Sequence, residues 1–168
     1  YLNSSLQALV HTGPLMNYFL SSYHMKHINV NNRDGYGGRL AYYFGKLSSE
    51  MWGTTKMALS PRQFRTEVAA LNEQFAGHQQ HDAQELIDFL LAGLSEDTNL
   101  IEDKPYTENP DSDGRPDSEL ANIWWANHQK RELSIIQALF QGQTKSSRRC
   151  NCGYTSARFE PFTVLQLG

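Results

Sequence analysis

The strongest constraint on the fold is an amphipathic segment in the middle of the chain. Leu86, Leu90 and Leu94 recur every four residues, which places a continuous apolar stripe along one side of a helix. The start of this helix is marked by Asp82, with Glu85 three positions later, the pattern of a capping box. The rest of the chain is therefore expected to be organised around this helix.

A polar run, Gln79 to Asp82, stands directly before the helix. The N-terminus of a helix presents free N–H groups and a partial positive charge. A carboxylate and several amides gathered at such an end can hold an extended peptide by its backbone. The alternative is that Asp82 and Glu85 only cap the helix, which would stabilise it by about 1 kcal/mol.

Composition limits the class of protein. The chain has 168 residues, of which 39% are hydrophobic and 20% charged, and this is enough for one globular domain with a core. A net charge of −3 gives no general attraction to nucleic acid or to anionic lipid, so neither is an expected partner. No apolar run approaches eighteen residues, and hence neither a membrane span nor a secretory segment is predicted.

The cysteines of the chain indicate its cellular location, and its two ends indicate whether it is a piece of a longer protein. The only two cysteines, Cys150 and Cys152, are too close in sequence for a probable structural disulfide, so an intracellular location is expected. The chain begins at Tyr1 without a methionine and closes on an alternating, strand-like run. It is therefore expected to be a piece of a longer protein.

Apolar spacing predicts further helices, and the character of the chain changes at Gly142. Polar segments on either side of Cys150 to Gly153 predict a β-hairpin, and residues 163–168 predict a final strand. The expected fold class is α+β, mostly α, with a helical lobe followed by the start of an antiparallel sheet. The additional helices are predicted at residues 2–10, from Pro14, at 40–51, from Pro61 and around Leu120 and Ile136.

The sequence also indicates which parts of the chain are exposed and which are buried. Residues 102–118 are acidic and rich in proline, which predicts a surface loop. Aromatic residues at helical spacing are expected to belong to the core, with Trp125 partly exposed. They are Trp52, Phe64, Phe89, Trp124 and Trp125.

Two segments of the chain carry distinctive motifs, YLNSSLQAL at Tyr1 to Leu9 and HQQHDAQEL at His78 to Leu86. The first resembles the end of the cysteine box, and the second the Gln-Gln-Asp box, of the ubiquitin-specific proteases, the USP family of cysteine deubiquitinases. Similar later landmarks follow in the same order at Leu139 to Gln143, Cys150 to Cys152 and Phe159 to Phe162, so the resemblance extends over essentially the whole chain.

The resemblance implies a papain-like fold with fingers, palm and thumb. Residues 1–141 would form the helical thumb and residues 142–168 the start of the fingers and palm, with the domain continuing beyond the chain. The nucleophilic cysteine would immediately precede Tyr1, and the general-base His with its Asp or Asn partner would follow Gly168. This piece alone would then be inactive, with no catalytic residue of its own.

The function implied is hydrolysis of the isopeptide or peptide bond after the C-terminal glycine of ubiquitin, by cysteine acyl-enzyme chemistry. The partners would be ubiquitin and ubiquitinated proteins. Gln80, His81, Asp82 and Glu85 would line the channel for the arginine-bearing ubiquitin tail, although for His81 a packed or solvated ring is favoured slightly over a substrate contact. A catalytically inactive, ubiquitin-binding scaffold is the alternative for the whole protein.

The resemblance also raises the question of a structural zinc ion. The family often binds zinc in its fingers with two Cys-x2-Cys pairs, whereas this chain has only Cys150-Asn151-Cys152. Tetrahedral zinc takes four ligands, so the chain supplies at most half of a site. The alternative is a hairpin turn in a fingers region that has lost its metal. No cofactor is expected for catalysis.

Overall fold

The fold was examined in a computed structural model, which describes residues 1–53, 55, 58–77 and 79–165. Within these residues the chain forms eight α-helices followed by one antiparallel hairpin, as predicted for an α+β fold. The helices are α1 Leu2–Val10, α2 Gly13–Leu20, α3 His24–His27, α4 Arg39–Gly53, α5 Arg62–Leu71, α6 Ala83–Asp97, α7 Asp117–Gln129 and α8 Ile135–Phe140. A 3₁₀ turn lies at Glu73–Phe75, and the strands are β1 Gly142–Arg149 and β2 Thr155–Phe162.

Helix α6 lies at the centre of the core, as its sequence predicts. Leu86, Leu90 and Leu94 are completely buried, and α1, α4 and α8 pack against this helix. Full burial of a leucine side chain contributes about 2 kcal/mol, so this stripe is a major part of the stability of the helical part.

The C-terminal end of α6 organises the loop that precedes α4. Asp97 is fully buried, and its Oδ1 accepts hydrogen bonds from the backbone N–H of Tyr36 at 2.7 Å and of Gly38 at 3.1 Å. Its Oδ2 accepts from the N–H of Ala41 at 3.1 Å, in the first turn of α4. These three donors compensate the cost of burying a carboxylate.

The hairpin packs against α7 through a second, smaller cluster. Ala157 and Phe159 of β2 are buried against Leu120 of α7, with Trp124 beside them. The indole Nε1 of Trp124 donates to the carbonyl of Pro110 at 3.1 Å, which holds the acidic loop against the helix. Because α7 begins at Asp117, the loop ends slightly earlier than predicted.

Some predictions at the level of single residues are wrong. Trp52 is 54% exposed and not part of the core, because it lies in the last turn of α4, where its Nε1 donates to the carbonyl of Val10 and its ring lies beside that of His11. Residues 163–165 are not in a strand, since β2 already ends at Phe162, and residues 166–168 lie outside the described residues. Pro61 is the residue before α5, so the helix begins one position later than predicted.

None of the described helices has the length and apolar character that crossing a membrane requires.

The chain changes from helix to strand between Phe140 and Gly142. The division into a thumb at residues 1–141 and a fingers and palm region at 142–168 remains a prediction.

Candidate functional site

The site is built where the first turns of α1 and α6 meet. The Oγ of Ser5 lies 3.0 Å from the carbonyl oxygen of Ala83, across 78 positions of sequence. The rings of Tyr1 and His81 pack edge to face, with their centroids 5.3 Å apart. The fold therefore brings the two most distinctive sequence motifs to one place.

Asp82 caps α6, as the sequence predicts. Its backbone is extended, and its Oδ1 accepts a hydrogen bond from the N–H of Gln84 at 2.7 Å. The side chain is nevertheless exposed, so that the carboxylate is accessible to a ligand while one of its oxygens caps the helix. Capping and ligand binding are compatible in this geometry.

Glu85 completes the site from three positions further along the motif. Its Oε2 accepts a hydrogen bond from the Nε2 of Gln74 at 2.7 Å, so the carboxylate is directed towards the 3₁₀ turn. The capping-box pattern predicts that Glu85 bonds back to the N-cap residue, but the amide of Gln74 is the partner that the structure gives it. This contact could not be predicted from the local sequence, because Gln74 lies outside the motif.

His81 and Gln80 differ in their surroundings. The His81 ring packs against the rings of Tyr1 and Phe75, with centroid distances of 5.3 and 5.7 Å. Its Nε2 is buried, and among the described residues it has no hydrogen-bond partner. Gln80 is exposed beside it. The imidazole thus forms part of a packed aromatic wall, while the Gln80 amide faces solvent.

A third carboxylate extends the acidic edge along α6. Asp88 follows Asp82 and Glu85 at three-residue intervals, which places all three near the same side of the first two turns. Partial desolvation, together with the negative charge of Asp82, raises the pKa of Asp88. An edge with this charge favours a cationic ligand, and carboxylates bind arginine by charge-assisted hydrogen bonds.

A cavity of about 360 Å³ continues from this edge along the second half of α6. Its lining combines the carboxylates of Asp88, Glu96 and Glu132 with the apolar side chains of Leu91 and Ile136. Acidic and apolar groups therefore alternate on the surface that leads away from the start of α6.

Ser95 belongs to the lining of this cavity. It is only 4% exposed, and its Oγ donates to the Oε1 of Glu132 at 2.5 Å. The same oxygen of Glu132 accepts from the Nε2 of Gln141 at 2.8 Å. The buried hydroxyl is tolerated because it has these partners, which the helical period alone does not reveal.

The segment that leads into the site is fixed by α5. Arg65 donates from its Nη2 to the carbonyl of Gly77, at the turn before the polar run. Gly77 has φ of +81°, a left-handed conformation that favours glycine, so a side chain at this turn would be strained. Position 78 lies outside the described residues.

The predicted zinc ligands lie at the tip of the hairpin. Cys150 and Cys152 are free and exposed, and the turn is closed by a hydrogen bond from the N–H of Gly153 to the carbonyl of Cys150 at 3.0 Å. A hydrogen bond from the Cys152 backbone N–H lowers the pKa of the Cys150 thiol. No group of three or more His, Cys, Asp or Glu side chains in the described part of the chain is arranged to hold a metal. Zinc binding by Cys150 and Cys152 stays a prediction.

Comparison with known proteins identifies the family of the chain. The family model described as ubiquitin carboxyl-terminal hydrolase matches residues 1–162. The chain is 46% identical over 168 residues to the putative ubiquitin carboxyl-terminal hydrolase 11 of Arabidopsis thaliana, in an alignment that covers 99% of this chain and 19% of that relative. It is 44% identical over 168 residues to ubiquitin carboxyl-terminal hydrolase 32 of Mus musculus, of which it covers 10%.

The chain thus spans a fifth or less of the length of these relatives. The match nevertheless includes both motifs that meet at the candidate site. In agreement with the resemblance to the ubiquitin-specific proteases, the chain belongs to the ubiquitin carboxyl-terminal hydrolase family.

Proposed function

We propose that the whole protein hydrolyses the isopeptide or peptide bond that follows the C-terminal glycine of ubiquitin. The observation that carries this proposal is the meeting of the first turns of α1 and α6, beside the acidic edge of Asp82, Glu85 and Asp88. The names of the relatives, which are ubiquitin carboxyl-terminal hydrolases, support the same reaction.

This chain supplies one wall of the channel for the ubiquitin tail. Asp82 and Glu85 bind the arginine side chains of the tail, because carboxylates pair with guanidinium groups by charge-assisted hydrogen bonds. The exposed amide of Gln80 bonds to the extended backbone, and His81 shapes the wall with its packed ring. Holding the tail in this way places the scissile bond at the start of α1.

The nucleophile is a cysteine immediately before Tyr1. At the N-terminus of α1, the helix dipole and the free N–H groups favour the thiolate over the thiol. The thiolate attacks the glycine carbonyl carbon and the amine of the substrate leaves, which gives a thioester that water then hydrolyses. The base that moves the protons is a histidine supplied from beyond Gly168, with its Asp or Asn partner.

A ubiquitin whose C-terminus carries a thiol-reactive group tests this proposal on the full-length protein. The expected result is a mass increase of one ubiquitin, mapped by peptide sequencing to the residue before Tyr1. A ubiquitin without its C-terminal tail, carrying the same reactive group, is the control and is expected to give no adduct.

The opposite result is equally informative. Folded full-length protein that binds ubiquitin but forms no adduct and hydrolyses no conjugate would overturn the enzymatic proposal. It would support the alternative of a catalytically inactive, ubiquitin-binding scaffold.

A further inference from the structure

A single buried hydroxyl joins the two helices that form the candidate site. Ser5 is 1% exposed, and its Oγ lies 3.0 Å from the carbonyl oxygen of Ala83 and 3.1 Å from that of Tyr1. Tyr1 is the N-cap residue of α1, and Ala83 is the first residue of α6, directly after Asp82. The hydroxyl proton of Ser5 is thus shared between the first turns of both helices.

We infer that Ser5 is a positioning residue, which sets the distance between the start of α1 and the carboxylate of Asp82. This inference rests on the proposed function, in which the start of α1 carries the reacting thiol and Asp82 holds the ubiquitin tail. Apolar packing brings the helices together but has no strong direction, whereas a hydrogen bond fixes distance and angle. Ser5 therefore controls where the scissile bond lies relative to the nucleophile.

The neighbouring serine provides a natural comparison. Ser4 is exposed, and its Oγ donates to the same Tyr1 carbonyl at 2.9 Å, within α1. Ser4 and Ser5 thus make the same bond inside their own helix, and Ser5 makes the additional contact with Ala83. A difference between variants at the two positions reports on the link between α1 and α6.

The consequence of losing this link differs from loss of binding. A ubiquitin tail would still contact both helices, so KM would change little. The reacting atoms would be misplaced, and displacements of about 1 Å cost up to about 100-fold in rate. Loss of one hydrogen bond corresponds to a decrease in rate of about 3- to 10-fold.

The test uses the full-length protein and a ubiquitin with a fluorogenic amine at its C-terminus. Ser5→Ala is expected to lower kcat by about 10-fold with KM within about twofold, and Ser4→Ala to leave both within about twofold. If Ser5 acts through Asp82, the Ser5→Ala change is expected to lower kcat less than about threefold when Asp82→Ala is already present. Thermal unfolding of each variant shows whether the folded fraction is unchanged at the assay temperature.

The outcomes separate this inference from the proposed function. Parent protein that releases no fluorophore would overturn the proposed function and the positioning role together. Active parent protein would overturn the positioning role alone if Ser5→Ala behaves like Ser4→Ala, or raises KM without lowering kcat. Full additivity of the Ser5 and Asp82 variants would also count against it.

Discussion

The ring of Tyr1 stands edge-on to the ring of His81, at a centroid distance of 5.3 Å and an interplanar angle of 75°. Phe75 contacts both rings, so that three aromatic side chains, from the N-cap of α1, the 3₁₀ turn and the segment before α6, form one packed group. The Nε2 of the His81 imidazole is buried and lacks a hydrogen-bond partner among the described residues. His81 therefore contributes to the site by the shape and packing of its ring.

The first prediction follows from this packing. His81→Phe is expected to keep ubiquitin affinity within about twofold and to stabilise the fold, because it removes an unpaired buried nitrogen. His81→Ala is expected to lower the free energy of unfolding by about 1 kcal/mol, through loss of the ring contacts. Calorimetric titration and urea unfolding measure the two effects. A marked loss of affinity in His81→Phe would instead indicate that the imidazole contacts ubiquitin directly.

The second prediction concerns pH. His24 is 5% exposed beneath α4, with its Nε2 close to Gly45, and burial lowers the pKa of its imidazole. The folded state thus binds this proton less tightly than the unfolded chain does, so protonation favours unfolding. The contribution of neutral His24 to the free energy of unfolding is complete above about pH 6.5. It is lost as pH falls towards the lowered pKa of this imidazole.

Urea unfolding midpoints between pH 8 and pH 5.5 test this expectation. His24→Gln is the matched variant, since glutamine keeps a polar nitrogen near the same place but does not titrate. The midpoint of the parent protein is expected to fall more steeply below pH 6.5 than that of the variant. Parallel pH profiles would show that His24 does not contribute.

The third prediction concerns the buried carboxylate of Asp97. Asp97→Ala leaves the N–H groups of Tyr36, Gly38 and Ala41 without their acceptor. This change is expected to lower the free energy of unfolding by about 3 kcal/mol or more. Asp103→Ala is the control, because Asp103 is exposed, and a change within about 0.5 kcal/mol is expected. Chemical unfolding measures both. Equal stabilities would mean that the loop before α4 does not depend on Asp97.

Local sequence patterns predict the helices well because each helix depends on its own period and its own ends. The leucine stripe of α6 and its Asp82 cap are of this kind, and so is the hairpin around Cys150. Asp97 could not be assigned a role in this way, because its three partners lie 56 to 61 positions earlier.

The candidate site was likewise predictable only where it depends on a single sequence motif. The resemblance placed Asp82 and Glu85 in one motif, and both lie at the same helix start. The link from Ser5 to Ala83 and the bond from Gln74 to Glu85 depend on how separate elements pack. Trp52 was assigned to the core on its helical spacing, which does not reveal that its indole lies at the surface, beside Val10 and His11.

The last prediction separates the two roles of Asp82. Asp82→Asn keeps a good N-cap residue but removes the charge, whereas Asp82→Ala removes both. If Asp82 binds an arginine of the ubiquitin tail, both variants of the full-length protein are expected to lose about 10-fold or more in ubiquitin affinity. Stability is expected to fall by about 1 kcal/mol in Asp82→Ala and to remain nearly unchanged in Asp82→Asn.

Calorimetric titration with ubiquitin and urea unfolding of the same preparations measure affinity and stability side by side. Ubiquitin that lacks its C-terminal tail is the control ligand, and its affinity should be the same for parent and variants, because it offers no arginine to Asp82. Parent-like ubiquitin affinity in Asp82→Asn, combined with lower stability in Asp82→Ala, would reduce Asp82 to a helix cap. The acidic edge would then have to bind the ubiquitin tail through Glu85 and Asp88.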